Sequence, residues 1–87
     1  MRKIWSDDAW EDYLSWQDRD KKTLNKINKL IKSIDRNGYN CEGKAEQLSE
    51  NLSGFWSVRI DKQNRIIFRI VDDTIEIIQC GTHYGDK

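Results

Sequence analysis

Proline is absent from this 87-residue chain, which also contains only two cysteines and one histidine. Without proline, repeats or low-complexity stretches, nothing marks an internal boundary, so we expect one domain over residues 1–87. Cys41 and Cys80 have no CxxC spacing, which argues against a disulfide scaffold or a redox pair. Structural zinc sites need four cysteine or histidine ligands at short spacings. We therefore expect two reduced thiols, no metal site and no cofactor.

Long hydrophobic runs are missing as well. No apolar segment reaches the length of a membrane span or of a signal-peptide core, so we expect a cytoplasmic protein without a membrane partner. The chain does contain four Trp, three Tyr and two Phe, interleaved with a charged fraction of 34%. Aromatic side chains bury large areas, so this composition indicates a small soluble globular domain.

The net charge is zero, but the charges are unevenly distributed. Residues 1–20 contain six acids and three bases, whereas residues 21–44 contain seven bases and two acids. A basic middle segment permits a nucleic-acid partner. A lysine-rich helix face is more often simply solvated, so charge alone does not establish that partner.

Two helices are predicted after a short initial strand, "RKIW". Ser6 has the features of an N-cap, and Trp5 and Trp10 have the spacing of a hydrophobic staple across it. Asp20 is suited to cap the second helix, and Asn37-Gly38 to end it. For the first helix the periodicity predicts a core-facing stripe of Trp10, Tyr13, Leu14 and Gln17.

The second helix has one apolar stripe and one basic face. We expect its apolar stripe to be buried: Leu24, Ile27, Leu30, Ile31 and Ile34. Lys22, Lys26 and Lys29 fall on another face and are expected to be exposed.

From Gly43 onward the hydrophobic period changes to 2, which predicts an antiparallel sheet and an α+β fold. The apolar faces of "FWSVRI" and "RIIFRIV" must coincide, because a slip by one residue would invert one strand. A loop at residues 61–63 then places Arg59 opposite Arg65. Like charges directly opposite are unfavourable, which suggests a functional anion site, although two flexible arginines can also splay into water.

A second hairpin is predicted to turn at Asp72-Asp73. This register places Arg69 opposite Glu76, Ile67 opposite Ile78, and Arg65 opposite Cys80. Arg69 then has a carboxylate neighbour, whereas Arg59 and Arg65 do not. An unpaired guanidinium pair is well matched to phosphate.

The segment "THY" follows this last strand and contains the only histidine, His83. Glu46, Glu50 and Lys44 precede the first arginine strand. A carboxylate, a histidine and two arginines are sufficient to cleave an RNA backbone without metal. A lone histidine near a chain end is more often a surface residue, so the residue types alone leave both interpretations open.

Five segments together resemble the YoeB branch of the RelE superfamily of toxin–antitoxin ribonucleases: "IWSDDAWEDYLSWQ", "KINKLIKSI", "NLSGFWSVRI", "NRIIFRIVDD" and the "HY" near the end. The resemblance runs from Met1 to Tyr84. It implies two N-terminal helices packed on a curved antiparallel sheet. It also implies ribosome-dependent cleavage of mRNA that inhibits translation.

By matching position, the resemblance implies a role for each site residue. Glu46 is the general base, Arg65 the main transition-state residue, His83 the general acid and Tyr84 a positioning residue. Arg59 belongs to the same active surface. The implied RNA-binding residues are Lys44 and Ser49, and Ser49 stands where relatives often have lysine.

The implied partners are a YefM-like antitoxin, the ribosome and mRNA, and a homodimer is a further assembly to test. Two alternatives remain open. One is a module that blocks the decoding site without cutting. The other is a degenerate toxin, for which the loss of a cation at Ser49 is the only argument.

Overall fold

The computed structural model describes residues 1–81, which form two helices and a five-stranded sheet. The elements in chain order are β1 (Arg2–Trp5), α1 (Asp7–Arg19), α2 (Lys21–Asn37), β2 (Glu46–Gln47), β3 (Trp56–Arg59), β4 (Arg65–Val71) and β5 (Thr74–Gly81). The sheet order is β1-β5-β4-β3-β2. The predicted α+β class is confirmed, but the sheet is mixed, because β1 joins β5 in parallel. Neither helix in residues 1–81 is long and apolar enough to cross a membrane.

The helix ends follow the predicted capping residues. Ser6 Oγ accepts a hydrogen bond from the Ala9 backbone N–H at 3.1 Å. The Asp20 carboxylate accepts from the hydroxyl and backbone N–H of Thr23 and from the backbone N–H of Lys22. These bonds, first of all the one from the Thr23 hydroxyl, hold the pKa of Asp20 below its usual value. Gly38 ends α2 with a positive φ of 61°, a conformation that glycine adopts easily.

The predicted core stripe of α1 is wrong for three of its four residues, whereas Tyr13 is partly buried and packs against the core. Trp10 is 42% exposed and Leu14 is 37% exposed, and Gln17 is exposed as well, whereas α1 buries Ala9 and Trp16. The small Ala9 side chain allows close approach to β5, the strand on which α1 mainly packs. Trp10 instead packs edge-to-face with Trp5 and stacks on Tyr13, with ring centroids 5.7 Å and 5.8 Å away. The predicted staple between Trp5 and Trp10 is therefore confirmed, but its aromatic rings lie at the margin of the core.

The stripe of α2 is buried as predicted, with Leu24 partly buried and the other four residues inside the core. The sheet contributes Val58, Ile66, Phe68, Ile75, Ile77 and Cys80 to the same core. The three lysines Lys22, Lys26 and Lys29 are exposed, also as predicted.

The β3–β4 hairpin has the predicted register. Arg59 lies opposite Arg65, and Trp56 lies opposite Phe68. The turn is stabilised by the Asp61 carboxylate, which accepts from the backbone N–H groups of Gln63 and Asn64, each at 2.8 Å. Two arginines of like charge are thereby held on the same face of neighbouring strands.

The β4–β5 register agrees with the prediction only near the turn. Arg69 lies opposite Glu76 as expected, and its Nε is 2.6 Å from the Glu76 carboxylate. An irregularity between Ile67 and Phe68 then shifts the pairing by one residue. The predicted partners of Ile67 and Arg65 were Ile78 and Cys80, and both predictions are wrong.

The observed partners are Gln79 for Ile67 and Gly81 for Arg65. One extra residue in a strand makes every later side chain of that strand point to the opposite face of the sheet. The shift allows the apolar Cys80 to face the core beside Ile66 and sends the Gln79 amide to the opposite face.

A stability prediction arises from Tyr39, whose ring stacks on Trp56 with centroids 4.3 Å apart. The Tyr39 hydroxyl accepts a hydrogen bond from the Ile70 backbone N–H at 2.8 Å. Tyr39→Phe should retain the stacking and leave this donor without its partner. We expect the free energy of unfolding to fall by about 1 kcal/mol, which lowers Tm by about 4–8 °C in a domain of this size. Thermal unfolding by circular dichroism measures this, and an unchanged Tm would contradict it.

Candidate active site

A cleft of about 390 Å³ opens on the sheet face away from the helices. Its lining residues come from β2, β3, β4, β5 and the segment after β2: Glu46, Leu48, Leu52, Ser57, Arg65, Ile67 and Gln79. Two of the predicted catalytic residues, Glu46 and Arg65, therefore share one concave surface.

Glu46 and Arg65 form the charged centre of this cleft. A guanidinium Nη1 of Arg65 lies 3.8 Å from Glu46 Oε1 and donates to Ser57 Oγ at 3.4 Å. The prediction that Arg65 has no carboxylate neighbour is therefore wrong. β2 pairs with β3 so that Glu46 lies opposite Ser57, and the carboxylate reaches over Ser57 toward Arg65.

This ion pair is loose and open to water. The Glu46 side chain is 62% exposed and that of Arg65 is 37% exposed. Exposed pairs of this kind are strongly screened and contribute little to stability. Both charged groups therefore remain available to a ligand.

Gln79 is a cleft residue that the sequence reasoning missed. It is only 4% exposed, and its Nε2 donates to the Gly81 carbonyl at 2.7 Å. Its Oε1 has no hydrogen-bond partner within residues 1–81. The available signal was a polar residue inside "IIQC", where strict alternation would have put glutamine into the core.

Arg59 and Lys44 lie beside a second cavity, next to the cleft. Its volume is about 350 Å³, and it is lined by Lys26, Gly43, Lys44, Arg59, Ile60, Asp61 and Lys62. A further cavity of about 390 Å³ continues it along α2 and adds Lys22, Thr23, Asn25 and Lys29. We call the two cavities together the basic groove. No cation that lines it forms an ion pair with another residue of the described part of the chain.

The backbone before Glu46 is tightly constrained. The Gly43 carbonyl accepts from the Arg59 N–H at 3.0 Å. A Cβ at Gly43 would lie 3.0 Å from Val58 Cβ and 3.1 Å from Leu30 Cδ2, and its φ is +92°. Lys44 follows with a φ of 54°, in the left-handed region that non-glycine residues rarely adopt. Such conformations cluster at functional sites.

The other predicted site residues lie apart from this centre or outside the described residues. Ser49 is exposed, precedes the short helical turn Glu50–Leu52 and does not line the cleft. His83 and Tyr84 lie outside residues 1–81. Gly81, two positions before His83, lies opposite Arg65 in the sheet.

Cys80 directly follows the cleft residue Gln79 in the chain, but its thiol faces the core. Burial, with a smaller contribution from the charge of Asp12, raises its pKa to about 12. The thiol therefore stays protonated near neutral pH and is not a nucleophile. Both cysteines are free.

The comparisons with known proteins agree with the fold. A family profile described as the YoeB-like toxin of bacterial type II toxin–antitoxin systems matches residues 5–84. Toxin YoeB of Escherichia coli K12 is 46% identical over 84 residues, covering 97% of this chain and all of the relative.

Two solved structures from Staphylococcus aureus are each 44% identical and cover 97% of this chain and 98% of the other. One is a heterotetrameric YoeB–YefM toxin–antitoxin complex, with a TM-score of 0.89. The other is a YoeB dimer, with a TM-score of 0.87. On this sequence and structural similarity, the chain belongs to the YoeB-like toxins of bacterial type II toxin–antitoxin systems.

Proposed function

We propose that this toxin is an endoribonuclease that cleaves mRNA in the decoding site of the ribosome and thereby inhibits translation. The observation that carries the proposal is the exposed Glu46–Arg65 pair in an open cleft beside the basic groove. A carboxylate supplies a proton acceptor, and a guanidinium supplies a planar donor for phosphate.

The chemistry uses the 2′-hydroxyl of the RNA as the nucleophile. Glu46 takes the 2′-hydroxyl proton while the 2′-oxygen attacks the phosphorus, and Arg65 stabilises the charge on the phosphorane with help from Arg59. His83 donates a proton to the leaving 5′-oxygen as the P–O5′ bond breaks, and Tyr84 positions the nucleotide. The products are a 2′,3′-cyclic phosphate and a 5′-hydroxyl. Exchange of the roles of Glu46 and His83 would give the same products.

The test is end analysis of ribosome-bound message after exposure to the purified protein. We expect cuts with a 2′,3′-cyclic or derived phosphate and a 5′-hydroxyl, and no inhibition by chelators. A 2′-deoxy nucleotide at the cut position should abolish cleavage, because the nucleophile is removed. A 5′-phosphate product or a metal requirement would overturn the mechanism. Binding without scission would favour a toxin that only occupies the site, or a degenerate one.

The basic groove is proposed to contact ribosomal or messenger RNA. Arg59, the cross-strand partner of the cleft residue Arg65, lines the groove together with Lys44, and three lysines extend it along α2: Lys22, Lys26 and Lys29. Asp61 also lines the groove, but its carboxylate is engaged by Asn64 and Gln63. Hydrogen bonds from these residues hold the pKa of Asp61 low, although burial, the largest single influence, acts in the opposite direction.

Replacing Lys22, Lys26 and Lys29 together with glutamine should weaken ribosome binding without changing the single-turnover rate at saturation. Each lost phosphate contact should reduce the slope of log affinity against log salt by about 1. A filter-binding series over salt concentration measures this slope. Lys21 and Lys32 on the same helix, neither of which lines the groove, provide a charge control, with the two effects compared per charge removed. An equal effect from the control pair would show that overall charge, not the groove, is responsible.

The proposed partners follow from the same surface. The related Staphylococcus aureus toxin is found in a complex with YefM and as a dimer. We propose a YefM-like antitoxin whose acidic residues cover Arg59, Arg65 and the basic groove, and a homodimer as the second assembly. We propose a cytoplasmic localisation, because the proposed target, the ribosome, is in the cytoplasm. Co-purification with a small protein from an adjacent reading frame would support the antitoxin, and harmless expression of the active toxin alone would contradict it.

A further inference from the structure

At its end β5 pairs with β4 along one edge, and its other edge is held by side chains of α1 instead of by β1. β1 pairs with β5 only from Thr74 to Ile77. Beyond that point Trp16 Nε1 donates to the Cys80 carbonyl at 2.8 Å, and the Cys80 backbone N–H donates to Asp12 Oδ2 at 3.2 Å. Both polar groups of Cys80 are therefore fixed from one helix.

Gly81 is fixed from the other side. Its carbonyl accepts from Gln79 Nε2, and it lies opposite Arg65 in the sheet. A Cβ at Gly81 would lie 3.6 Å from Asp12 Oδ2, so the Asp12 carboxylate also packs against this residue. Three buried or half-buried hydrogen bonds thus converge on two consecutive residues at the rim of the cleft.

We propose that Asp12 and Trp16 are positioning residues for RNA cleavage, because they fix the backbone from which the chain continues to His83. The inference rests on the proposed function. His83 follows Gly81 by two residues in the sequence. Displacement of a catalytic group by about 1 Å can reduce a rate by about 10²-fold. The competing explanation is that these hydrogen bonds only satisfy buried backbone groups, because most such groups in proteins are hydrogen-bonded.

Variants of α1 separate the two explanations. Asp12→Ala removes the acceptor of the Cys80 N–H, whereas Asp12→Asn retains an oxygen in the same place. Trp16→Phe removes the indole donor and keeps an aromatic ring in the core. Tyr13→Phe is the matched control, because it removes a hydrogen bond of 2.7 Å from α1 to Asn28 on α2, which involves no residue of β5.

Single-turnover cleavage, ribosome affinity, Tm and hydrogen exchange of the Cys80 amide are measured for each variant. We expect Asp12→Ala to lower the cleavage rate about 10–100-fold with unchanged ribosome affinity, and to speed exchange of the Cys80 amide. Asp12→Asn should restore most of the rate, and Trp16→Phe should lower it. Tyr13→Phe should lower Tm and leave the cleavage rate unchanged.

Two results would overturn the positioning role. One is a wild-type cleavage rate in folded Asp12→Ala and Trp16→Phe, and the other is an equal loss of rate in Tyr13→Phe. If Asp12→Ala does not fold, Trp16→Phe and Asp12→Asn still decide between the explanations. Absence of cleavage by the wild-type protein would instead overturn the proposed function and this role with it, while amide exchange would still report whether α1 holds Cys80.

Discussion

Replacing Glu46 with alanine is expected to lower the single-turnover rate of cleavage on the ribosome by about 10²–10⁴-fold, the usual contribution of a general acid or base. The reason is the position of the carboxylate, which lies in an open cleft 3.8 Å from the Arg65 guanidinium. His83→Ala should have an effect of similar size, because the leaving oxygen then lacks its proton donor. Rapid mixing of toxin with programmed ribosomes measures both rates.

Glu50→Ala is the matched control for Glu46→Ala. Glu50 is also an exposed acid, four residues later in the chain, but it does not line the cleft. It should retain the wild-type cleavage rate. Ribosome affinity should be unchanged in all three variants. Equal loss of binding and cutting in Glu46→Ala and His83→Ala would make these residues docking elements and not catalytic ones.

Replacing Arg65 with glutamine is expected to lower cleavage by about 10²–10³-fold, because a donor to the developing phosphorane charge is lost. Tm should stay the same or rise slightly. Arg65 lies opposite Arg59, so the substitution removes a repulsion of roughly a few tenths of a kcal/mol. Its pair with Glu46 is exposed and screened, so little attraction is lost. Arg59→Gln should likewise lower the cleavage rate and leave Tm the same or slightly higher.

Arg69→Gln is the matched control on the same strand. Arg69 Nε lies 2.6 Å from the Glu76 carboxylate, and its guanidinium lies 4.8 Å above the Phe55 ring. This variant should lose stability and retain cleavage, which is the reverse of the result for Arg65→Gln. If Arg65→Gln instead loses several degrees in Tm and keeps its activity, Arg65 has a structural role. The two variants together thus separate a functional arginine from a structural one.

The sequence alone determined the helix caps and one hairpin. Ser6, Asp20 and Gly38 act on backbone groups within a few residues of themselves, so their effect is readable without a tertiary partner. The β3–β4 register was predictable because two apolar faces had to coincide and the turn at Asp61 is short. That register already placed Arg59 opposite Arg65.

Only the tertiary structure decided which face of α1 is buried and what surrounds Arg65. The aromatic stripe of Trp10 and the stripe of Ala9 and Trp16 both have helical spacing, and close packing on β5 selects the second. The irregularity in the β4–β5 pairing was also not predictable from alternation, because it depends on Cys80 being buried beside Ile66 and Gln79 being directed to the cleft. Glu46 reached Arg65 only through the pairing of β2 with β3. Local rules act between residues close in sequence. These three outcomes depend instead on which surfaces distant in sequence pack together. The packing of those surfaces determines the charges and hydrogen bonds around the cleft.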